Sequence, residues 1–414
     1  MAKKVLKLWL RFLAARVLHK YHPRIVAITG STGKTSTKEA VLTVLRDEKN
    51  NYVVGTRGNL NTEFGVTATI INPGFVGTEA GGKIKLTLRD VWQLTWRTID
   101  LLVKRLPYPE VLVLELAADR PGDIQYFMSF IKPEVGILTN VGDVHLEFFN
   151  SKAELVEEKS LITTHLKPTG VAILNRDDDF SKLISRKVST KKIFVSAEKE
   201  ADIWARDIGF GSGGLHFSAV AGADRANQNM IQVDLPVFGY QFVYAALFAL
   251  AVGNYFKIPW ETMTKRLSHY TAPKGRFEII KLGEAVVIDD TYNANPVSVA
   301  AALKSLARLG VNRRKIAILG DMKELGSAHD RGHRSVGEYA AKVVDQLWVV
   351  GEGGALIKEA AIRAGLPVGQ ARDFTEDAIP VILQDNNIVL VKGSRAVKMD
   401  KIVELIEEFY ERSH

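Results

Sequence analysis

The chain contains no cysteine, which excludes disulfides, zinc ribbons and thiol catalysis and says little about compartment. Long apolar runs are missing as well. Lys3, Lys4, Lys7 and Arg11 interrupt the N-terminal stretch Val5 to Leu18, so no uncharged segment there is long enough for a signal peptide or a membrane span. There is no aromatic–basic alternation of the single-strand-binding kind and no dense basic block in the interior. A net charge of +8 therefore suits polyanionic ligands without requiring nucleic acid. Internal repeats and low-complexity segments are absent too. What remains is a globular composition of 414 residues, 46% hydrophobic and 25% charged, long enough for two or three domains.

Residues Ile25 to Glu39 read I-V-A-I-T-G-S-T-G-K-T-S-T-K-E, an apolar run breaking into glycines and then into a helix-forming stretch. The order strand, Gly30-Ser31-Thr32-Gly33, Lys34-Thr35-Ser36, helix is that of a nucleotide phosphate cradle. Glycines let backbone N–H groups approach phosphates and the positive helix end adds attraction. Lys34 would neutralise the terminal phosphates, and the Thr35 hydroxyl would sit on Mg²⁺. Ile28 stands where a strict Walker pattern has glycine, so the motif is the shorter TGxxGK[ST] form.

Wound as a helix, residues 1–23 gather Lys3, Lys4, Lys7 and Arg11 on one side, with Leu6, Trp9, Leu13 and Val17 toward the other. Two readings stand: an interfacial helix in peripheral contact with a membrane through residues 1–20, or a helix docked on its own domain. Further along, apolar strand-like runs alternate with helical patterns, predicting an α/β protein with mostly parallel sheets. Strands are expected at Ile25–Thr29, Val111–Glu115, Val135–Asn140 and Val171–Asn175, and hairpins at a sheet edge over Ile203–Leu235. Pro273 and Gly275 read as a hinge near residue 272. It divides a nucleotide-binding unit (24–271) from a second, Rossmann-like α/β unit (272–414).

The chemistry-bearing residues fall at strand ends, where open parallel sheets bind ligands. Glu115 closes V-L-V-L-E, a position suited to holding Mg²⁺ beside a phosphate cradle; a helix-capping or salt-bridged acid is the plain alternative. His145, in T-N-V-G-D-V-H-L-E, reads as a second metal ligand or phosphate contact, or as a solvent-facing loop histidine.

Seven segments together resemble the Mur ligase family. They are the cradle, G-N-L-N-T-E-F-G-V at 58–66, L-E-L-A-A-D-R-P-G-D-I at 114–124, T-N-V-G-D-V-H-L-E-F-F-N-S at 139–151, K-G-R-F-E at 274–278, D-D-T-Y-N-A-N-P at 289–296 and I-L-G-D-M-K-E-L-G at 318–326. The last two are most similar to the branch that adds D-alanyl-D-alanine to the muramoyl tripeptide. The resemblance implies a cytoplasmic, ATP-dependent amide ligase in peptidoglycan synthesis, working through an acyl phosphate. It implies Glu115 and His145 as magnesium ligands, Arg276 as a phosphate contact, and Asp290 near the ribose with Asn293 and Asn295 beside the nucleotide. Asn59 would lie close to the base. Lys159 falls where several members carry a carbamylated lysine, against the alternative of an ordinary exposed helix lysine. Lys392, Ser394 and Arg395 resemble the acceptor-binding loop that receives the dipeptide carboxylate, against a plain solvated basic turn.

Two departures stand out. Only about two dozen residues precede the cradle, too few for the N-terminal domain that grips the uridine diphosphate sugar. Where members carry His-Asn and a further Asn near the adenine, this chain has Gln241, Phe242 and Ala245. A ligase for poly-γ-glutamate or folate-type acceptors and a non-catalytic nucleotide-binding subunit are the competing expectations.

Overall fold

The computed structural model describes residues 2–47, 52–58, 60–75, 78–80, 83–85, 87–143, 146–222 and 229–413. The first unit begins with helix α1 (Ala2–Tyr21), strand β1 (Arg24–Thr29), α2 (Lys34–Leu45), β2 (Val53–Gly55) and α3 (Glu63–Ile71). A small hairpin of β3 (Thr78–Ala80) and β4 (Lys83–Lys85) precedes α4 (Leu88–Val103), β5 (Val111–Glu115), α5 (Asp123–Met128) and β6 (Val135–Leu138). Next come α6 (Lys152–Thr164), β7 (Val171–Asn175), α7 (Ser181–Ser185), β8 (Lys191–Ser196), β9 (Ile203–Gly211), β10 (Gly214–Ala221) and β11 (Asn229–Leu235). Helices α8 (Gln241–Tyr255) and α9 (Trp260–Leu267) close the unit. The second unit runs β12 (Glu278–Leu282), β13 (Ala285–Asp289), α10 (Pro296–Leu309), β14 (Arg314–Gly320), α11 (His329–Ala340), β15 (Gln346–Val350) and α12 (Gly351–Arg363). It ends with β16 (Ala371–Asp373), α13 (Ile379–Ile382), β17 (Asn387–Lys392) and α14 (Asp400–Ser413).

The large sheet has the order β11-β10-β9-β8-β7-β6-β1-β5-β2. Strands from β2 to β9 are parallel, and β9, β10 and β11 form the antiparallel edge expected from the glycine-rich alternation. Strands β5, β6 and β7 are buried along their whole length, and β1 everywhere beyond Arg24, which is why they read as near-continuous apolar runs. Alternate residues feed two layers: Val26 and Ile28 pack with α2 and α8, while Ile25 and Ala27 pack with α1, α3, α5 and α6. Helix α8 is apolar all round because it lies fully inside. The crossover from β1 runs to β2 at one edge, and the one from β5 runs the other way, past β1 to β6, so a crevice opens at the carboxyl end of β1. The second sheet, β12-β13-β17-β14-β15-β16, is parallel apart from the edge strand β12.

Helix α1 docks on its own unit largely on the expected face: Leu13 and Val17 are buried and Leu6 packs half-buried on the core, with Leu10 and Ala14 buried beside them. Trp9 departs from the expectation and is 42% exposed. Lys20 ties the helix down: its Nζ donates to the carbonyls of Leu101, Leu102 and Lys104 at 2.8, 2.9 and 3.0 Å, capping the C-terminal end of α4. Trp9 Nε1 donates to Thr95 Oγ1 of α4 at 3.2 Å. No described helix is long and apolar enough to cross a membrane.

Candidate active site

Strand β1 delivers the chain to Gly30, with φ +150°, and Gly33, with φ +77°, before α2 starts at Lys34. Both angles suit residues without a β-carbon. The loop after β6 braces this turn from behind. Thr139 Oγ1 donates to the Thr32 carbonyl at 2.6 Å, Asn140 Oδ1 accepts from Thr32 N at 3.0 Å, and Ser31 Oγ accepts from Gly142 N at 2.8 Å. The expected strand residues Thr139 and Asn140 thus lie just beyond β6, because their side chains are spent on the cradle.

Lys34 Nζ donates to the Gly30 carbonyl at 2.7 Å, folded back over the turn. Burial pushes its pKa below the usual lysine range, and the neighbouring Glu115 and Asp119 pull it back up. Register places Glu115 beside Ile28, one strand from the turn. Its Oε1 accepts from Thr35 Oγ1 at 3.2 Å and from Asn61 Nδ2 at 3.0 Å, while its buried Oε2 makes no hydrogen bond. The nearest cation to Oε2 is Lys38 Nζ at 3.9 Å. Lys38 is itself wholly buried, donating to the Thr56 carbonyl at 2.6 Å and paired with Glu39 at 3.0 Å.

A buried, under-satisfied carboxylate oxygen next to a threonine hydroxyl is a hard-oxygen donor pair that fits Mg²⁺. No group of three or more metal-ligating side chains gathers among the described residues. His145 and Asn59 lie outside the described residues.

Lys159, on α6, is not an exposed helix lysine: it is 1% exposed, with Nζ 3.5 Å from the Ala118 carbonyl. Desolvation and the nearby Lys34 charge push its pKa down to about 7, against the pull of Asp119 and Glu158. The adjacent Glu158 serves a different purpose, accepting from the N–H groups of Gly122, Ile124 and Gln125 at 3.0, 2.6 and 3.1 Å at the start of α5.

The second unit closes the other wall. Arg276 sits between two left-handed residues, Gly275 (φ +67°) and Phe277 (φ +57°), the latter 2% exposed. That backbone aims the guanidinium across the cleft, where Nη2 donates to Thr35 Oγ1 at 3.1 Å and Nε is buried without a partner. The group stacks on Tyr292 with its carbon 4.1 Å from the ring centre, and Arg395 lies 5.4 Å from the same ring.

Asp290 is buried against Lys392, Nζ to Oδ2 2.7 Å. Burial raises the carboxyl pKa and the lysine opposes that shift. Lys392 is therefore no solvated basic turn, and its charge is spent on Asp290 and on the Asn293 carbonyl at 2.9 Å. Asn295 caps α10, accepting from Ser298 N at 2.9 Å, and Asn293 Oδ1 accepts from Ala294 N at the same distance. Ser394 is buried, with an unpartnered Oγ, and Arg395 is exposed.

These walls enclose a cavity of ≈ 570 Å³ lined by the cradle from Ser31 to Thr37 and by Glu115, Arg276, Asp290, Asn293, Asn295 and Lys392. Its far end holds Asp177, Tyr240, Gln241, Tyr244 and Ala245. There Tyr244 donates to Asp177 Oδ2 at 3.0 Å, and Gln241 Oε1 is buried without a hydrogen bond. Sequence reasoning missed Lys38, Asn61, Asn140 and Asp177. Lys38 alone carried a signal, one helical turn after Lys34 on the face that meets β5.

A glycine-bearing anion cradle opposed by a second α/β unit defines a two-unit nucleotide-binding protein. Its sequence matches the Mur ligase middle domain over residues 28–253 and the Mur ligase glutamate ligase domain over residues 275–395. The chain belongs to the Mur ligase family. It is 30% identical over 400 residues to the UDP-N-acetylmuramoyl-tripeptide–D-alanyl-D-alanine ligase of Haemophilus influenzae, covering 94% of this chain and 78% of that protein. The crystal structure of MurF from Acinetobacter baumannii aligns with TM-score 0.77 at 26% identity, over 97% of this chain and 80% of that one. MurF from Thermotoga maritima, solved in complex with ADP, shares the fold with TM-score 0.78 at 24% identity, over 99% and 85%.

Proposed function

We propose that the chain is an ATP-dependent amide ligase that joins D-alanyl-D-alanine to a muramoyl-tripeptide precursor of peptidoglycan. The acceptor carboxylate attacks the γ-phosphorus of ATP, the bond to the bridging oxygen breaks, and ADP leaves. The dipeptide amine then adds to the acyl carbon, and phosphate departs as the amine loses a proton. The observation that carries this reading is the meeting of Thr35 with Glu115 and Arg276 at one hydroxyl, which brings acid, cradle and second-unit cation to a single point.

Phosphoryl transfer asks chiefly for positioning and charge neutralisation. Lys34 and Arg276 supply cations from opposite walls. Thr35 and Glu115 would hold Mg²⁺, which shields the repulsion between phosphate and carboxylate when bound. The two units, 24–271 and 272–414, divide the work, and closure about 273–275 would exclude the water that hydrolyses an acyl phosphate. Arg395, the exposed cation on the Tyr292 ring, is the group suited to the dipeptide carboxylate, since Lys392 is committed to Asp290. At the base end, Gln241 Oε1 can accept from an exocyclic amine in place of the family's amide contacts.

Lys159 is proposed to carry a carbamate. With a pKa near 7, a fraction of its amine is neutral and nucleophilic toward CO₂ at physiological pH. The new anion would be offset by the nearby Lys34 charge, against the carboxylates of Asp119, Glu158 and Asp123. Carbon-13 bicarbonate should give a carbamate resonance that Lys159→Met lacks.

The test of the whole reading is phosphate release from ATP with substrates added singly and in pairs. Release that requires both a muramoyl tripeptide and D-alanyl-D-alanine supports it. Release with glutamate-type acceptors instead, or nucleotide binding without turnover under any combination, refutes it.

A further inference from the structure

Helix α4 is amphipathic in the wrong sense for a helix that serves only to cover a sheet. Its inner face buries only Leu94, Thr98 and Leu101. Its outer face carries Leu88, Trp92, Trp96, Ile99 and Val103, exposed by 90, 63, 51, 42 and 76%. The spacing i, i+4, i+8, i+11, i+15 makes one continuous apolar stripe along the helix.

Helix α1 lies beside it, joined by the Trp9–Thr95 hydrogen bond and the Lys20 cap, and continues the same surface. Val5, Leu8, Trp9 and Phe12 are 61, 52, 42 and 53% exposed, with the Trp9 and Phe12 rings stacked at 6.0 Å. Three of the six tryptophans of the chain, Trp9, Trp92 and Trp96, therefore stand on one side of the molecule. A soluble surface seldom leaves so many large apolar side chains together without an occupant.

The charge around the stripe selects that occupant. Lys3, Lys4 and Arg16 are exposed on α1, and Arg89, Lys104 and Arg105 flank the two ends of α4. Against these six cations the two helices offer only Asp90, engaged in the capping box of α4, and Asp100, which pairs with Lys104 at 2.8 Å and leaves the other five uncompensated by either helix. Apolar stripe, indole rings and a cationic border are together the composition of a surface that lies in a lipid headgroup layer, with rings at the acyl boundary and cations at the phosphates. The cations spread through α1 also keep it from spanning.

We infer that the paired outer faces of α1 and α4 form a membrane-binding surface for anionic phospholipid bilayers. The N-terminal half of α1 also touches the catalytic unit: Lys7 lies 3.9 Å from Glu63 and 4.1 Å from the centre of the Tyr126 ring. Glu63 begins the helix that follows Asn61 of the cleft, so α1 is anchored on an element that leads into the site. The inference does not depend on the ligase reading.

The test is co-sedimentation of the full chain with vesicles of phosphatidylglycerol mixed into phosphatidylcholine, and with phosphatidylcholine alone. Wild type should pellet with the anionic vesicles, with a blue shift in tryptophan emission, and far less with the neutral ones. Trp92→Ser with Trp96→Ser should lower partitioning at least about tenfold, while Lys3→Ser with Lys4→Ser should lower it by about fivefold per cation and flatten its salt dependence. Both pairs are exposed, so far-UV dichroism and lipid-free phosphate release should match wild type. Wild type remaining in the supernatant with anionic vesicles, or the tryptophan pair partitioning as wild type does, overturns the inference. So does a wild type that ignores vesicles yet self-associates until Trp92 and Trp96 are replaced, which would assign the face to a second copy.

Discussion

Gly30 is the tightest point of the cradle, and replacing it by alanine tests the bracing described above. An ideal Cβ there would stand 1.9 Å from Thr139 Oγ1 and 3.1 Å from Asn140 N, at a φ of +150°. Thr139 cannot turn aside freely, because it is 3% exposed and its hydroxyl donates to the Thr32 carbonyl at 2.6 Å. Backbone strain at such a φ costs about 1–3 kcal/mol. Overpacking adds about 1–3 kcal/mol. Gly30→Ala should therefore destabilise by about 2–6 kcal/mol and weaken nucleotide binding with it.

Thr139→Ala removes the oxygen in the way at the cost of one hydrogen bond, about 1 kcal/mol. In that background Gly30→Ala should keep its strain and lose most of its clash, so the double variant should be less destabilised than the sum of the singles by about 1–3 kcal/mol. Urea unfolding of the four proteins of the cycle, with ADP titration calorimetry on each, measures both effects. Additivity within about 0.5 kcal/mol would refute the argument that Thr139 and Gly30 share one packing site.

Lys34→Ala should lower turnover by about 10³-fold with the fold intact, since it removes a positioned charge from the transferring phosphate; steady-state phosphate release measures it. Glu115→Gln keeps the volume and the Oε1 contacts while removing the charge. It should abolish the Mg²⁺ enhancement of ADP affinity seen by calorimetry and cut turnover by about 10²-fold. Lys159 gives a pH signature. With CO₂ excluded so that the amine is free, its folded pKa of about 7 lies below the ordinary lysine value of 10.5, so the unfolded chain binds the extra proton between these limits. Stability relative to Lys159→Met should then rise with pH through that window by up to about 1.4 kcal/mol per unit, and a flat or falling difference would contradict the buried placement.

The parts of the site legible in sequence were those built from one local segment. Cradle, Glu115 and the hinge arginine each sit within a short motif whose strand or turn context is visible at the same place. The antiparallel edge over 203–235 was legible for a similar reason, because hairpins leave their period in contiguous residues. What escaped depends on partners far apart in the chain. Lys392 reads as a cation free for the dipeptide carboxylate, or as a solvated turn, until β17 brings it to Asp290, 102 residues away. Helix α12 begins Gly-Glu-Gly-Gly and looks like a loop. Its glycines are needed for close approach: a Cβ on Gly353 would stand 2.2 Å from His333 Nε2. The outward placement of Trp9 was hidden because its partner Thr95 and the carbonyls that Lys20 caps belong to a helix more than 80 residues on.

Strand β17 pairs with both β13 and β14, inside the second sheet, yet it follows both by a long stretch of chain. During translation β13 and β14 must wait side by side with a gap between them until residues 387–392 emerge, so the sheet cannot close before that segment has left the ribosome. A message truncated upstream of that strand would yield a sound first half joined to an unfinished sheet with two exposed inner edges. Such a product should be captured by chaperones or proteases rather than accumulate as a partial nucleotide trap.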